Sequence, residues 1–524
     1  MYDLIIKNGT VLDGTGSPSY YADIAVKEGK IALIGKDLTG AARVIDATGL
    51  TVTPGFIDSH SHNDQTILSF PEQREKIEQG ITTAIGGTCA SSHFPLPLDF
   101  NRKDDIDYGE LGMFSEICRT SASYFETAAK VPQGSNVATY VGHNAIRRAV
   151  MGSEGRAPTE AELAQMCELL REAMRAGAIG ISFGLAYAPS CYADTEELIA
   201  LSKAVAEFGG VISAHIRSEG DRLVQAVEEF LRVIRESGAR GVFSHHKSAG
   251  SKENWGKVNH TLRMIDEANA EGHDVFLDVY PYNASHTRLS ATVVPKAYHA
   301  GGVSALVAAL QNEEKRREIR AYCKSKWSDF NWIQLTICKA YPELEGLRIP
   351  EAAKHLGKDE IDTMLDIILE SGDVCSACYF SMCEEDISTV IAHPRAMICT
   401  DSQVAGANKV YHPRLRASFP RAIAKYVRER GVVSLPEMIR KMTAMPAAVY
   451  SLTGKGLLRE GMDADICIFD AARIKDNATF ADCSKRADGM NYVILSGRVV
   501  VENAVSDGSR CGRVLRRDKD GRVK

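Results

Sequence analysis

The central part of the chain, from about Gly55 to His412, alternates apolar residues at helical spacing with short β-branched runs. Residues 159–174 show the helical half of the pattern, because Thr159 and Glu162 have capping-box spacing and are followed by Leu163, Met166, Leu170 and Met174. Gly177 ends this predicted helix, and Ala178 to Gly184 is predicted as the next strand. Strands that alternate with helices predict a parallel sheet.

The same alternation predicts about eight such strands, at 51–57, 83–87, 137–141, 178–184, 211–216, 241–244, 275–280 and 396–400. An open doubly wound sheet is the rival arrangement, but no glycine-rich phosphate loop follows the first strand. Polar residues cluster where the strands end, which is typical of a barrel that carries a site at one rim. We therefore predict an α/β fold with a (β/α)8 TIM-like barrel.

The two chain ends have a different pattern. The first fifty residues are short alternating runs separated by Asn8-Gly9, Gly14-Thr15-Gly16 and Glu28-Gly29-Lys30, which predicts hairpins. Similar runs return at 464–469 and 492–502, so we predict a small β-sandwich domain built from both ends. The expected domains are 1–53 and 451–524 in the β-sandwich, and 54–450 in the barrel, with an extra helical insertion at about 286–361.

Composition narrows the class of protein. The 524 residues are 44% hydrophobic and 25% charged with a formal net charge of −6, as in ordinary globular proteins. The basic run 513–524 has no aromatic or groove-reading partner, so we expect a solvated terminus and no nucleic-acid partner. No apolar run approaches the ~20 residues of a membrane span, and the start lacks a signal-peptide pattern. Together with 13 scattered cysteines, this predicts a cytoplasmic protein with no membrane partner.

Metal-ligand side chains follow the predicted strands. His60 and His62 lie two apart on a strand and therefore share a face. The other candidates at strand ends are Cys89, His215, His245 and Asp401. A lone histidine is more often structural than a ligand, but several at one barrel rim reverse that expectation. Because a catalytic zinc site draws its ligands from His, Cys and carboxylate, the pattern predicts a metallohydrolase.

Ordered segments along nearly the whole chain carry a family resemblance. They are Pro54 to His62, Gly80-Ile81-Thr82-Thr83, Gly142-His143, Gly177 to Tyr187, Ala214-His215-Ile216-Arg217, Ser244-His245-His246-Lys247, Asp278 to Tyr282, Thr400-Asp401, His412-Pro413-Arg414, Phe419-Pro420-Arg421 and Gly461 to Asp465. With them the chain resembles the N-acyl-D-amino-acid deacylases, or D-aminoacylases, of the amidohydrolase superfamily. The resemblance implies hydrolysis of N-acyl-D-amino acids to a carboxylate and a free D-amino acid.

The resemblance also implies roles for the candidate ligands. Cys89, His215 and His245 would hold a tightly bound zinc, and His60, His62 and Asp401 a second, weaker metal whose occupancy is open. Many amidohydrolases bridge two metals with a lysine after strand four, but residues 179–184 contain none, which makes Cys89 the better bridging candidate. Asp401 would act as base and then acid. The surroundings of Cys89, Gly87-Thr88-Cys89-Ala90, depart from the family's usual Gly-Asn-Cys-Gly, which puts metal affinity and substrate preference in question.

A free amino acid product requires a small-molecule N-acyl amino acid substrate with a carboxylate beside the scissile amide. By resemblance the groups that bind it are Lys247, Tyr280 and Arg414, with Tyr187 and Ser285 nearby. Two alternatives stay open: a cyclic-amide hydrolase of the dihydropyrimidinase or dihydroorotase type, and a noncatalytic scaffold on the same fold. The preferred side chain and acyl group, the handedness and a homo-oligomeric state do not follow from the sequence.

Overall fold

The computed structural model describes residues 1–97, 115–404 and 411–524. Its strands fall into a mixed sheet at the chain ends, two sheets of parallel strands, and a small antiparallel sheet. In chain order the strands are β1 (Tyr2–Val11), β2 (Tyr20–Lys27), β3 (Lys30–Gly35), β4 (Ala41–Asp46), β5 (Thr51–Pro54), β6 (Phe56–Asp58), β7 (Ile81–Gly86), β8 (Asn136–Thr139), β9 (Val141–Gly142), β10 (Gly180–Gly184), β11 (Val211–His215), β12 (Arg240–Phe243), β13 (Val275–Val279), β14 (Ser285–Arg288), β15 (Ile333–Cys338), β16 (Cys375–Tyr379), β17 (Ala396–Ile398), β18 (Ile466–Phe469), β19 (Met490–Leu495), β20 (Arg498–Glu502) and β21 (Val505–Ser506).

Helices connect most of the parallel strands. The α-helices of the described residues are α1 (Arg74–Ile77), α2 (Ser115–Cys118), α3 (Ser121–Ala128), α4 (His143–Met151), α5 (Glu160–Ala176), α6 (Thr195–Ala206), α7 (Leu223–Ser237), α8 (Val258–Ala270), α9 (Leu289–Val293), α10 (Gly302–Gln311), α11 (Glu313–Lys326), α12 (Ile349–Leu356), α13 (Glu360–Glu370), α14 (Glu384–Ala392), α15 (Arg414–Arg421), α16 (Leu435–Met442) and α17 (Ala444–Val449). A π-helical segment, Ala422–Glu429, continues α15. Within the described ranges, no helix combines the length and apolarity needed to cross a bilayer.

The helix predicted from the capping box is α5. The Thr159 hydroxyl accepts a hydrogen bond from the Glu162 backbone N–H, and the Glu162 carboxylate accepts from the Thr159 N–H. The helix ends at Gly177, whose φ of 127° is a conformation that glycine adopts without strain. The predicted start and end of this helix are therefore confirmed.

The parallel strands place all their carboxyl ends on one side. One sheet has the order β17-β13-β12-β11-β10-β9, and the other has the order β6-β7-β8. Ile179, which directly precedes β10, donates its N–H to Thr139 O of β8 at 3.0 Å. Beyond the ends of β17 and β6, Asp401 N donates to His60 O at 2.9 Å and His62 N donates to Ser402 O at 3.1 Å. Backbone hydrogen bonds thus join the two sheets at both edges.

The mixed sheet contains strands from both chain ends. Its order is β21-β20-β19-β18-β5-β1-β2-β3, with β4 also paired to β1. The single strand predicted at 51–57 is wrong, because the chain divides at Gly55 into β5 of this sheet and β6 of a parallel sheet. Gly55 N donates to Asp465 O at 2.8 Å, and a Cβ at Gly55 would lie 2.1 Å from Oγ1 of Thr82. The crossing between sheets therefore requires glycine.

One predicted turn near the start is a bulge. β1 runs through Asn8-Gly9, where its register against β2 shifts, and Asn8 takes a φ of 60°. The Asn8 N–H donates to the Asp23 carboxylate at 2.9 Å, so the extra residue keeps a hydrogen-bond partner. The turn predicted at Glu28-Gly29-Lys30 is confirmed as the hairpin between β2 and β3.

The segment between β13 and β17 contains more than the helices predicted for it. α9 to α13 are accompanied by an antiparallel sheet of order β14-β16-β15, which ends only at Tyr379. Leu289, Leu335 and Tyr379 belong to a separate hydrophobic cluster of this segment. The sequence Ser-His-Thr-Arg of β14 has no apolar alternation, but β15, Ile-Gln-Leu-Thr-Ile-Cys, does alternate and was missed.

The expected solvated C-terminal tail is wrong. Leu515 and Val523 are fully buried in a cluster that includes Ile57 and Val211. Leu515 N donates to Val137 O at 2.7 Å, and Val523 N donates to the Ser451 carbonyl at 2.9 Å. The prediction was wrong because it rested on the many charged residues of the tail and gave no weight to the few apolar residues, which are buried.

Candidate active site

The thiol of Cys89 lies at the centre of the predicted ligands. Its Sγ is 3.4 Å from Nε2 of His60, 3.2 Å from Nε2 of His245 and 3.9 Å from Nδ1 of His215. The two imidazoles of His215 and His245 are themselves 3.0 Å apart, measured from Nδ1 to Nε2. Four side chains from four separate parts of the chain therefore converge on one small volume.

Asp401 extends this group toward His62. Its Oδ1 is 3.4 Å from Nε2 of His60 and 3.2 Å from Nε2 of His62, and its Oδ2 accepts a hydrogen bond from Nη1 of Arg414 at 2.7 Å. The structure thus brings all six predicted ligands into one continuous cluster.

The donor atoms have the chemistry and spacing of a metal site. One ligand atom each from His60, Cys89, His245 and Asp401 lies within 4.8 Å of the other three. A tetrahedral zinc with bonds of about 2.0–2.3 Å places its ligand atoms roughly 3.3–3.7 Å apart. The distances around Cys89 match this spacing, and sulfur with imidazole nitrogen is a donor set that zinc prefers. These residues therefore fit a zinc ion.

The loop that carries Cys89 turns back on itself and packs tightly. Cys89 and Ala90 both have a left-handed backbone, with φ values of 53° and 64°. A Cβ at Gly184 would lie 2.5 Å from Cys89 O, and one at Gly142 would lie 2.3 Å from Ala90 O. Two glycines at the ends of neighbouring strands thus make room for the loop, which aims the thiol at the histidines.

Asp278 contacts two of the candidate ligands, His60 and His245. Its Oδ1 accepts the His245 backbone N–H at 2.6 Å and lies 3.3 Å from Nδ1 of His60. His245 has a φ of 37°, so its backbone is also left-handed. A buried carboxylate that contacts both a backbone donor and an imidazole fixes the orientation of two candidate ligands at once.

Burial sets the protonation of His215 and His245. It lowers the pKa of His215 to about 4, and burial together with the Lys247 ammonium lowers the pKa of His245 well below its ordinary value. Both imidazoles are therefore neutral at pH 7, which is the form that binds a metal. Burial alone would raise the pKa of Asp401, but the guanidinium of Arg414 holds that pKa well below the usual range.

Three predicted substrate-binding side chains lie together beside the ligands. The Arg414 guanidinium is 4.8 Å and the Lys247 ammonium 5.5 Å from the ring centroid of Tyr280. Arg414 is almost completely buried and contacts Asp401, so it faces the cluster. Each cation has a carboxylate partner, Asp401 for Arg414 and Glu219 for Lys247. Nε of Arg414 makes no hydrogen bond with the described residues, so this corner still offers a donor to an anionic group of a ligand.

Tyr187 lies beside a candidate ligand, whereas Ser285 lies in the small antiparallel sheet. The Tyr187 ring centroid is 4.8 Å from that of His215, and Ser285 begins β14 with its backbone paired to Tyr379. The loop after Tyr187 is held by Ser190, whose hydroxyl is 2.7 Å from Nδ1 of His143.

Arg217 holds the same loop from its other side. Its guanidinium donates to the carbonyls of Cys191 at 3.0 Å and Ala193 at 2.9 Å. Gly142-His143 and Ala214 to Arg217, both part of the sequence resemblance, thus help to build the wall that carries Tyr187.

The sequence reasoning missed Glu219. Its Oε1 lies 2.6 Å from Nζ of Lys247 and 3.0 Å from Nδ1 of His245, and its Oε2 lies 3.7 Å from Nε2 of His215. Histidine ligands usually direct their second nitrogen to such a carboxylate. The signal available in the sequence was its position four residues after His215, on the loop that leaves β11.

Comparisons with known proteins identify a family model, related chains and related structures. The model of the Amidohydrolase family matches residues 43–501. The chain is 36% identical to a D-aminoacylase of Alcaligenes xylosoxydans xylosoxydans, over 98% of each chain. A crystal structure of D-aminoacylase has a TM-score of 0.84 and 35% identity, covering 99% of this chain and 100% of the other. N-acyl-D-glutamate deacylase from Bordetella bronchiseptica, solved with zinc and a phosphonate inhibitor, also has a TM-score of 0.84, with 33% identity over 98% and 99%.

Proposed function

Because the chain belongs to the amidohydrolase family, we propose that it is a zinc-dependent hydrolase that cleaves the amide bond of N-acyl-D-amino acids. The products are a carboxylate and a free D-amino acid. One observation carries the proposal: the thiol of Cys89 lies within 3.9 Å of a nitrogen from each of His60, His215 and His245. That arrangement supports a metal site, and the relatives named for this activity support the reaction.

We assign the ligands to two neighbouring positions. Cys89, His215 and His245 hold the tightly bound zinc, and His60, His62 and Asp401 form the second, weaker position. Cys89 Sγ is almost as close to His60 as to His245, which supports its placement between the two positions.

We also infer that the parallel strands close into a (β/α)8 barrel, which the hydrogen bonds from Asp401 and His62 to the neighbouring strand support. The strands of residues 1–53 and 451–524 then form the smaller β-sandwich beside it. In this arrangement the barrel spans 54–450, and the segment around 286–361 is an insertion near its rim.

The chemistry requires a proton acceptor and a proton donor at the amide. When bound, zinc polarises the carbonyl and lowers the pKa of the attacking water. The Asp401 carboxylate accepts the water proton and returns it to the departing nitrogen, because an amine leaves only when protonated. The ion pair with Arg414 holds this carboxylate in place.

We place the substrate carboxylate beside Arg414 and Lys247. Arg414 and Lys247 supply the cationic donors, both beside the ring of Tyr280, and Tyr187 lies next to His215. We keep Ser285 as a further candidate for the substrate-binding set. A guanidinium can grip a carboxylate with two parallel hydrogen bonds, whereas an ammonium acts as a point charge.

The test is a hydrolysis screen with paired D and L N-acyl amino acids on the purified protein, with bound zinc quantified in the same preparation. We expect turnover of D substrates, and we expect Asp401→Asn to lower kcat by at least about 100-fold while zinc stays bound. Hydantoin and dihydropyrimidine substrates are the counter-screen. Preferential opening of these rings, or full activity of the Asp401→Asn variant, would contradict the proposal.

A further inference from the structure

Lys76 is a fully buried lysine on α1, a helix outside the ligand cluster. Its ammonium donates to Oδ2 of Asp58 at 2.9 Å, to Oγ1 of Thr400 at 2.5 Å, and to both the carbonyl and the hydroxyl of Ser402 at 3.0 Å. A buried lysine is rare unless its charge is paired, and here four oxygen atoms surround it.

The partners of Lys76 flank the candidate active site. Thr400 and Ser402 are the residues on either side of Asp401, and Asp58 lies two residues before His60. Asp58 is fully buried and accepts the Thr400 N–H at 2.8 Å and the Thr400 hydroxyl at 2.6 Å. The ammonium therefore links β6 to the segment that follows β17, directly behind the reacting groups.

The backbone at Asp401 needs such support. Asp401 has a φ of 48°, in the left-handed region that residues other than glycine rarely adopt. Such a conformation persists only where the surroundings enforce it. Lys76 and Asp58 together hold the residues before and after Asp401, and the Asp401 N–H itself is bound by His60 O at 2.9 Å.

We propose that Lys76 and Asp58 are positioning residues, which fix the backbone of Asp401 so that its carboxylate points at the metal and the amide. The inference rests on the proposed function of Asp401 as the proton carrier. A buried ion pair is seldom needed for stability alone, since apolar residues of similar volume often replace it without loss. The Lys76–Asp58 pair contacts Thr400 and Ser402, the neighbours of Asp401, and holding the left-handed backbone there is a functional reason to retain the pair.

The experiment compares zinc-loaded Lys76→Met with the wild type and with a matched control. The control is Lys455→Met, which removes another buried lysine, 3.0 Å from the Asp463 and 2.7 Å from the Asp465 carboxylate in the terminal sheet. We expect Lys76→Met to lower kcat by about 100-fold, as for a catalytic group displaced by about 1 Å, with KM changed less than about threefold. Lys455→Met should lower the melting temperature but leave kcat unchanged.

The double variant Asp58→Asn/Lys76→Met separates positioning from stability. It removes the charge that Lys76→Met leaves unpaired, so the melting temperature should recover in part while kcat stays low. Recovery of kcat in the double variant, or wild-type kcat in Lys76→Met, would overturn the proposal. If Lys76→Met does not fold, Thr400→Val deletes one arm of the same contact and should lower kcat by about tenfold; wild-type kcat in Thr400→Val would overturn the proposal in that case.

A readout without substrate distinguishes this proposal from the function it rests on. Crystal structures of zinc-loaded wild type and Lys76→Met should show that Asp401 leaves its left-handed φ only in the variant. A wild type that cleaves no N-acyl-D-amino acid refutes the proposed function. An unchanged Asp401 backbone in the variant refutes the positioning role.

Discussion

Replacing Leu515 by Ala tests whether the C-terminal tail stabilises the hydrophobic cluster that it forms with residues of the parallel strands. Leu515 is fully buried among residues that include Ile57, Ile179 and Met397. Removing three carbon atoms from this environment costs about 2.4 kcal/mol in transfer free energy. The cavity adds up to about 2 kcal/mol if its walls do not relax. We therefore expect the free energy of unfolding to fall by about 2–4 kcal/mol.

Urea unfolding followed by circular dichroism measures this change from the shift in midpoint at constant slope. Lys519→Ala is the matched control, because Lys519 is an exposed residue of the same tail and its change should stay within about 0.5 kcal/mol. A loss below about 1 kcal/mol for Leu515→Ala would show that the tail does not contribute to the core. Activity per folded molecule should be unchanged, since Leu515 lies at the opposite ends of the strands from Cys89.

Two further changes test the walls of the site. Arg414→Ala should raise KM for N-acyl-D-amino acids by about 10- to 100-fold, the value of a charged hydrogen bond, but should leave KM unchanged for the corresponding amino acid amides. Equal effects on acids and amides would place the carboxylate site elsewhere. Ser190→Ala should lower the free energy of unfolding by about 1–3 kcal/mol, because it leaves Nδ1 of the buried His143 without the hydroxyl, and it should raise KM by loosening the loop of Tyr187. Wild-type stability and KM would show that this hydrogen bond does not hold the loop.

The sequence predicted those features that follow from local rules. The capping box at Thr159 and the glycine at 177 determined both ends of α5, since each depends on residues within one turn. The strand-end histidines were recognisable because parallel strands carry their polar residues at one edge. Cys89 was a candidate because it follows a predicted strand, and the resemblance then implied its role as a metal ligand.

The missed features depend on contacts between distant segments. Lys76 is one lysine among many in the sequence, and only the fold places it against Thr400 and Ser402. The split at Gly55 likewise follows from the approach of Thr82, which lies on another strand. The burial of Leu515 was not predicted because most residues around it in the sequence are charged. Such pairings carry no periodic signal along the chain.

The pairing of β5 with β18 has a consequence for synthesis. Pro54 faces Ile466 across this pair, so the ribosome must add more than four hundred residues before β5 gains its partner. At about 5–20 residues per second this takes roughly 20–80 s, during which one edge of the first strands stays without its hydrogen bonds. Bare strand edges attract other chains. We therefore expect the nascent chain to be most prone to aggregation before β18 is synthesised, because the folded chain buries every residue of β5.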